Sequence, residues 1–180
     1  MASLFTHVLV GVAVVQATFP AAGARLWLYA ALASVVPDLD VIAFPLGIPY
    51  EHVLGHRGIS HSLAAALLVG LLVAWRIRSA APAAGFASLA LVIGLVTASH
   101  GLLDAMTNGG LGIAFFAPFD DGRYFLPWRP IEVSPIGAGA FFSEWGLRVI
   151  KSELLWVWLP VVGLWVLIAG LRARSRAGGH

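Results

Sequence analysis

The sequence predicts an all-α, polytopic membrane protein with about five transmembrane helices and a polar, loop-rich cap on one face. Of its 180 residues, 59% are apolar and only 11% are charged, and the mean hydropathy is +0.88. A soluble domain of this size cannot bury that much apolar surface. The formal charge of +2 comes from a few arginines on a nearly uncharged chain, so it does not indicate nucleic-acid binding.

Apolar segments define the predicted helices. Five stand out, and in chain order they are Leu4–Phe19, Leu26–Val36, Ser62–Trp75, Phe86–Ser99 and Leu154–Leu171. Most are shorter than the ~20 residues that cross the hydrocarbon core, so we expect polar flanks to extend them. Val36-Pro37 and the stretch from Arg76 to Pro82 are expected to end helices, by sterics and by charge.

We predict a single membrane-embedded domain over residues 1–180. It divides into helices 1 to 4 within residues 1–103, a loop or re-entrant region at 104–152, the last helix at 153–172 and a basic tail at 173–180. Pro160 lies inside the last helix. We expect it to kink that helix rather than end it, because neighbouring helices can satisfy the freed carbonyl.

Helices that alternate in direction bring their polar ends to one side. That side receives His7, Asp38, Asp40, His56, His61, His100 and Asp104, with all nine acidic residues of the chain. The opposite side receives Arg25, Arg76, Arg78, Arg172, Arg174 and Arg176, against five basic residues on the polar side. The positive-inside rule then predicts a bacterial-type inner membrane protein with a cytoplasmic C-terminus and a periplasmic polar face.

Two motifs on the polar face carry candidate ligands. Asp38 and Asp40 follow a helix-ending Val-Pro pair, and an extended backbone there would turn both carboxylates to one side. A solvated helix cap explains an Asp pair equally well. His56 and His61 flank the start of the third helix, which Ser60 or Ser62 can cap; an exposed histidine at the membrane interface is the simpler explanation for either one alone.

A third motif places His100 and Asp104 four residues apart on one helical face. At that spacing they can share an ion, or Asp104 can orient the imidazole. A plain hydrogen bond between the two side chains would explain the pair as well.

Together the motifs indicate a metal site, because carboxylates and histidines from four helix ends converge while the rest of the membrane body lacks charge. The candidate ligands are His7, Asp38, Asp40, His56, His61, His100 and Asp104. Since the chain has no cysteine, the ligand set suits Zn²⁺, Mn²⁺ or Fe²⁺; zinc is favoured, with one or two ions. Such ions activate water for hydrolysis.

Four residues are candidates for a catalytic role: Asp38, Asp40, Arg57 and Asp104. One of the aspartates would act as general base. The planar guanidinium of Arg57 fits the oxygens of a phosphate or another anionic group. A salt bridge to Asp38 or Asp40 is the structural alternative for that arginine.

The same residues resemble a known family. Thr6-His7, Pro37-Asp38-Leu39-Asp40, His56-Arg57-Gly58 with Ser60-His61-Ser62, and His100 with Leu103-Asp104 resemble the YdjM/DUF457 family of inner-membrane proteins, described as metal-dependent hydrolases. The resemblance runs from Thr6 to Phe119. It implies a helical membrane fold with a metal held at these His and Asp positions, and a distant link to zinc-dependent phospholipase C and P1-type nucleases.

Three functions compete at this stage. The first is a hydrolase that uses a metal-activated water on a lipid or lipid-linked ester, most plausibly a phosphoester, at the membrane surface. The second is a transporter or ion-binding protein that uses the cluster as a proton or metal relay, which predicts charged residues at the bilayer midplane. The third is a scaffold with a structural ion, which predicts a closed coordination shell.

Overall fold

The computed structural model describes residues 1–79 and 84–177, without the side chains of residues 138, 176 and 177. Within these residues the regular structure is helical, apart from isolated bridges that pair Thr107 with Ile131 and Ile113 with Tyr124. The α-helices are α1 Leu4–Thr18, α2 Ala24–Val35, α3 Leu63–Ile77, α4 Phe86–Ala105, α5 Ala138–Phe141, α6 Glu144–Glu153 and α7 Leu159–Ala177. Pro82 and the last residues of the predicted basic tail, 178–180, lie outside the described residues.

Three helical stretches are long and apolar enough to cross a bilayer. They are Ala24–Ala43, Phe86–Ala105 and Glu144–Ser175. Two shorter apolar helices, Leu4–Thr18 and Leu63–Ile77, complete the five predicted segments. At 1.5 Å per residue, α1 is about 22 Å long, shorter than the hydrocarbon core of about 30 Å.

Helices α1 to α4 pack around a core of small and branched apolar side chains, which includes Val15, Ala30 and Ile93. The tightest approach is between α3 and α4. A Cβ atom at Gly70 would lie 2.4 Å from the Ala90 carbonyl oxygen. Small residues at such contacts let the helix backbones meet, which is how membrane helices gain packing energy.

Two helix boundaries differ from the sequence prediction. The Pro37-Asp38-Leu39-Asp40 stretch, expected to run extended, lies in a 3₁₀-helix, Val36–Ala43, that continues α2. Pro37 occupies its first turn, where the fixed φ of proline suits a helical path. The last helix begins at Glu144 rather than at residue 153, because Ser143 caps it by accepting a hydrogen bond from the Trp145 N–H.

The last helix is irregular ahead of Pro160. Leu154–Trp158 forms a π-turn between α6 and α7, and the helix continues through the proline rather than ending there. Its apolar surface is mostly exposed, as expected of a helix at the lipid boundary.

Helix α1 is held by this last helix at both ends. The Glu153 carboxylate accepts from Ser3 and Thr6 at the start of α1. The Arg172 guanidinium donates to the carbonyls of Gln16 and Ala17 at its end. The two helices therefore run parallel, as the first and fifth of five alternating segments should.

Candidate metal centre

The polar residues predicted from the sequence meet at one end of the bundle. His7 comes from the first turns of α1, Asp38 and Asp40 from the 3₁₀-helix after α2, and His100 and Asp104 from the last turns of α4. His56 lies in the connection to α3, and His61 ends a second, short 3₁₀-helix, Ile59–His61, immediately before α3. Ser62 caps α3 by accepting from the Ala65 N–H.

Four of these side chains form what we call the inner cluster: Asp38, His61, His100 and Asp104. One potential ligand atom from each lies within 4.8 Å of the others. Asp38 Oδ1 is 3.3 Å from His100 Nε2 and 3.7 Å from His61 Nε2. A group of this size and donor composition fits a divalent cation.

The two imidazoles of the inner cluster are fixed by their other nitrogens. His100 Nδ1 donates to the Ser34 carbonyl at 2.7 Å. His61 Nδ1 lies 2.9 Å from the Ser60 hydroxyl and 3.1 Å from Asp40 Oδ2. Each Nδ1 thus faces an acceptor, which leaves each Nε2 turned inward. Outer partners of this kind orient metal-binding histidines.

The inward nitrogens need a proton or a cation between them. His61 Nε2 and His100 Nε2 are 3.1 Å apart, too close for two bare lone pairs. Burial lowers the pKa of His61, but the neighbouring carboxylates of Asp38 and Asp40 outweigh burial and raise it to about 9. A proton shared between the rings or a metal ion meets the same electrostatic requirement.

Asp38 gives the clearest test of whether a cation fits. In the part of the chain that the structure describes, neither of its buried oxygens has a hydrogen-bond partner, and the same holds for Asp104 Oδ2. Buried carboxylate oxygens are costly without a partner. Oxygens left free beside inward-facing imidazole nitrogens are what a divalent cation would coordinate, so the residues fit a bound metal.

Asp40 and His56 form a second group with His61, which we call the outer group. His56 Nδ1 donates to Asp40 Oδ1 at 2.6 Å, and the Arg57 N–H donates to Asp40 Oδ2 at 3.0 Å. Ser60 also donates its hydroxyl to that oxygen. Asp40 is therefore satisfied by protein donors, unlike Asp38. The backbone here forms a 3₁₀-helix rather than the expected extended path, and the two carboxylates reach different ring nitrogens of the same His61.

Asp104 joins the inner cluster to α1. Its Oδ1 accepts from the Ala2 N–H at 2.6 Å and lies 3.3 Å from His7 Nε2. The His7 ring stacks on His100, with centroids 3.7 Å apart. His7 therefore lies beside the inner cluster rather than within the group of four, and all seven predicted ligands belong to one continuous network.

Arg57 does not form the predicted salt bridge to Asp38 or Asp40. Its side chain is fully buried, with Nε 3.3 Å from Asp104 Oδ2. The remaining guanidinium N–H groups donate to the carbonyls of Gly109 and Leu111 and to the Thr107 hydroxyl. The backbone adopts a left-handed φ of 62°. Strain of this kind persists where surrounding contacts enforce it, and here they tie the loop after α4 to the cluster.

Two contributors are missing from the sequence analysis. Ser34 supplies a carbonyl to the network, and Glu153 is fully buried beside α1. The sequence does contain a sign of the contact at Ser60. This serine lies between His56 and His61, and a hydroxyl in that position can orient either ring. Nothing local marks Glu153, which meets Ser3 across 150 positions of chain.

Comparison with known proteins identifies the family of this chain. The profile of the YdjM inner membrane protein family matches residues 1–177. The chain belongs to the YdjM family. It is also 40% identical over 136 residues to the inner membrane protein YbcI of Escherichia coli (strain K12), which covers 76% of this chain and 78% of that protein. No solved structure matches it significantly.

Membership of the YdjM family confirms the family resemblance that the motifs indicated. It also confirms that the chain is an inner-membrane type of protein. This YdjM-family chain is an all-helical membrane protein with a buried His/Asp cluster that can hold a metal ion. The family match extends well past Phe119, where the motif resemblance ended. It therefore includes α6 and α7, the helices that hold α1 in place.

Proposed function

We propose that this protein is a metal-dependent hydrolase that cleaves a lipid or lipid-linked ester, most plausibly a phosphoester, at the periplasmic surface of the inner membrane. The observation that carries the proposal is the inner cluster. Two imidazoles and two carboxylates converge within 4.8 Å, and the Asp38 oxygens accept no hydrogen bond from the described residues. The imidazole and carboxylate donors favour zinc, with manganese as the alternative.

Each residue has a role that follows from its contacts. When bound, a divalent cation supplies a water of lowered pKa, and thus a nucleophile near neutral pH. Asp38, His61, His100 and Asp104 would hold the first ion. Asp38 is also the candidate general base, because its oxygens are free of protein donors. The outer group orients His61 and is the candidate position for a second ion.

Arg57 fits a supporting role better than direct contact with substrate. Its guanidinium is fully buried and already donates to two carbonyls and a hydroxyl. Its positive charge, 3.3 Å from Asp104, offsets part of the negative charge of the cluster. Contact with a phosphate group would require those bonds to be replaced.

A neighbouring groove supports a lipid substrate. An open apolar groove of about 360 Å³ is lined by Leu4, Phe5, Phe141 and Phe142 among other residues. Its wall includes Ala2, whose N–H donates to Asp104 Oδ1. An acyl chain in this groove would place its polar head beside the inner cluster without leaving the bilayer.

Metal content is the first test of the proposal. Detergent-purified protein should contain one or two equivalents of zinc or manganese by elemental analysis, and a His61→Ala, His100→Ala double variant should lose them. His52→Ala is the matched control, because His52 is exposed and lies outside both groups. If the protein stays free of metal even when the medium is supplemented with it, the cluster would be a proton relay. Transport would then be the favoured function.

Hydrolysis is the second test. Phospholipids and lipid phosphomonoesters in mixed micelles should be cleaved by the metal-loaded protein, and Asp38→Asn should reduce turnover about 10²–10⁴-fold, the usual contribution of a general base. Asp121→Asn, at an exposed carboxyl, should leave turnover unchanged. Equal turnover in the Asp38 variant would contradict the assigned role, and a loaded protein with no turnover on any lipid ester would favour a structural ion.

A further inference from the structure

Glu153 is a buried carboxylate that the proposed chemistry does not use. It lies at the end of α6, fully buried. Its Oε1 accepts from the Ser3 N–H at 2.5 Å, and its Oε2 accepts from the hydroxyls of Ser3 at 2.5 Å and Thr6 at 2.8 Å. Three donors from the start of one helix therefore converge on one side chain of another.

Helix α1 lacks caps of its own. Ser3 is its N-cap residue but makes no side-chain capping bond, and the first turn contains no acidic residue. The first N–H groups of a helix have no partner within it, and the N-terminus carries a partial positive charge. Glu153 supplies both missing elements, an acceptor and a negative charge, from a distant part of the chain.

The π-turn at Leu154–Trp158 places a second contact beside the first. Trp158 Nε1 donates to Thr6 Oγ1 at 2.6 Å. In an α-helix, residues five apart point about 140° away from each other. A π-turn stacks them, so Glu153 and Trp158 both face α1. π-turns occur frequently at functional sites.

The anchored turn carries two contacts of the inner cluster. Ala2, next to Ser3, donates its N–H to Asp104 Oδ1 at 2.6 Å. His7, next to Thr6, lies 3.3 Å from the same oxygen and stacks on His100. A shift of this turn would move a donor to Asp104 and the ring that packs on a ligand histidine.

We propose that Glu153 is a positioning residue of the metal centre, which fixes the first turn of α1 and through it Ala2 and His7 against Asp104 and His100. This role rests on the proposed metal centre. Glu153 itself touches no residue of the inner cluster through a hydrogen bond or salt bridge among those that the structure describes. Its effect is therefore transmitted by α1.

The chain offers a matched control at the other end of α1. Arg172 on α7 donates to the Gln16 and Ala17 carbonyls, so it anchors the same helix at the end far from the site. Arg172→Gln should loosen α1 without moving its first turn. Glu153→Gln retains an acceptor for the Ser3 N–H and removes the charge, whereas Glu153→Ala removes both.

The test compares cobalt binding by the full-length variants in detergent. Glu153→Ala should lower Co²⁺ affinity about 10–100-fold, the usual cost of losing an outer-shell partner, and change the visible spectrum of the bound ion. Glu153→Gln should recover most of the affinity, while Arg172→Gln should match wild type in affinity and spectrum despite a lower melting temperature. Hydrogen exchange of the 2–7 segment should rise in Glu153→Ala alone.

Three outcomes would overturn the role. One is an unchanged spectrum and affinity in Glu153→Ala with only a lower melting temperature, which makes Glu153 a structural cap. Another is an equal loss in Arg172→Gln. The third is a loss in Glu153→Gln as large as in Glu153→Ala with unchanged exchange at residues 2–7, which would assign the effect to charge acting at a distance rather than to the position of α1. If the wild-type protein binds no cobalt, the proposed metal centre is refuted. In that case, unchanged hydrogen exchange at residues 2–7 in Glu153→Ala would separately refute the positioning role of Glu153.

Discussion

At the scale of single residues, Asp38 and Asp40 illustrate how neighbours of one type acquire different roles. Asp40 receives donors from His56, Arg57 and Ser60. Asp38 faces the two inward nitrogens of the inner cluster. A carboxylate saturated by protein donors holds its partners in place, whereas one without them is available to a cation or a substrate water.

Arg57 provides a prediction at the same scale. Arg57→Lys keeps the charge but loses the planar fork that reaches Gly109, Leu111 and Thr107. Because these partners are buried, we expect the free energy of unfolding to fall by about 2–3 kcal/mol and metal affinity to decrease with it. Thermal unfolding in detergent and metal titration measure the two effects.

The control for this prediction is Arg129→Lys, at an exposed arginine that packs over the Phe125 ring. It should change the melting temperature little. Equal melting temperatures of the Arg57 and Arg129 variants would contradict the prediction. They would show that the buried guanidinium of Arg57 stabilises the fold no more than an exposed arginine does.

At the scale of elements, the contact between α3 and α4 positions the site, because His61 precedes α3 and His100 lies in the last turns of α4. The backbones approach closely at Gly70, opposite Ala90 and Gly94. This contact lies in the middle of the two helices, away from the histidines. It therefore sets the distance between His61 and His100 without contacting either side chain.

Gly70→Val should therefore separate the helices. Its Cβ would lie 2.4 Å from the Ala90 carbonyl oxygen and 2.8 Å from the Gly94 nitrogen, so backbone must move, at a cost of about 1–3 kcal/mol. We expect a lower melting temperature and weaker metal binding. Gly163→Val in α7, where a Cβ meets nothing within 4 Å, is the control; identical melting temperatures for both variants would refute the close contact.

At the scale of the whole molecule, the charges at the two ends of the bundle differ. Arg25, Arg76 and Arg172 lie at the end opposite the inner cluster, while Asp38 and Glu153 lie at its end. Since cytoplasmic loops carry the excess of basic residues, we expect the cluster to face the periplasm. We also expect the five helical segments to cross the membrane in alternating directions.

Reporter fusions test this orientation. Alkaline phosphatase, which is active only in the periplasm, should be inactive when fused to the C-terminus and active when fused after His52, in the loop on the cluster side. Green fluorescent protein at the same positions should give the reverse pattern. Phosphatase activity at the C-terminus, with none after His52, would invert the assignment.

The sequence by itself determined the class of fold and predicted which polar residues lie together at one end of the bundle. Hydropathy is a local property, so the apolar segments are visible without any tertiary information, as is the need for them to lie in a bilayer. Alternating helix direction then brings their polar ends together, which is why His7, His61 and His100 were correctly expected to meet.

Only the tertiary structure decided how the site is divided and supported. The 3₁₀ turn after Pro37 separates Asp38 from Asp40, because local sequence permits both an extended and a helical path there. Arg57 turns to Asp104, and Glu153 meets Ser3 across 150 positions of chain. Contacts of this kind depend on which buried groups lack partners once the helices pack, and no local pattern in the sequence specifies that.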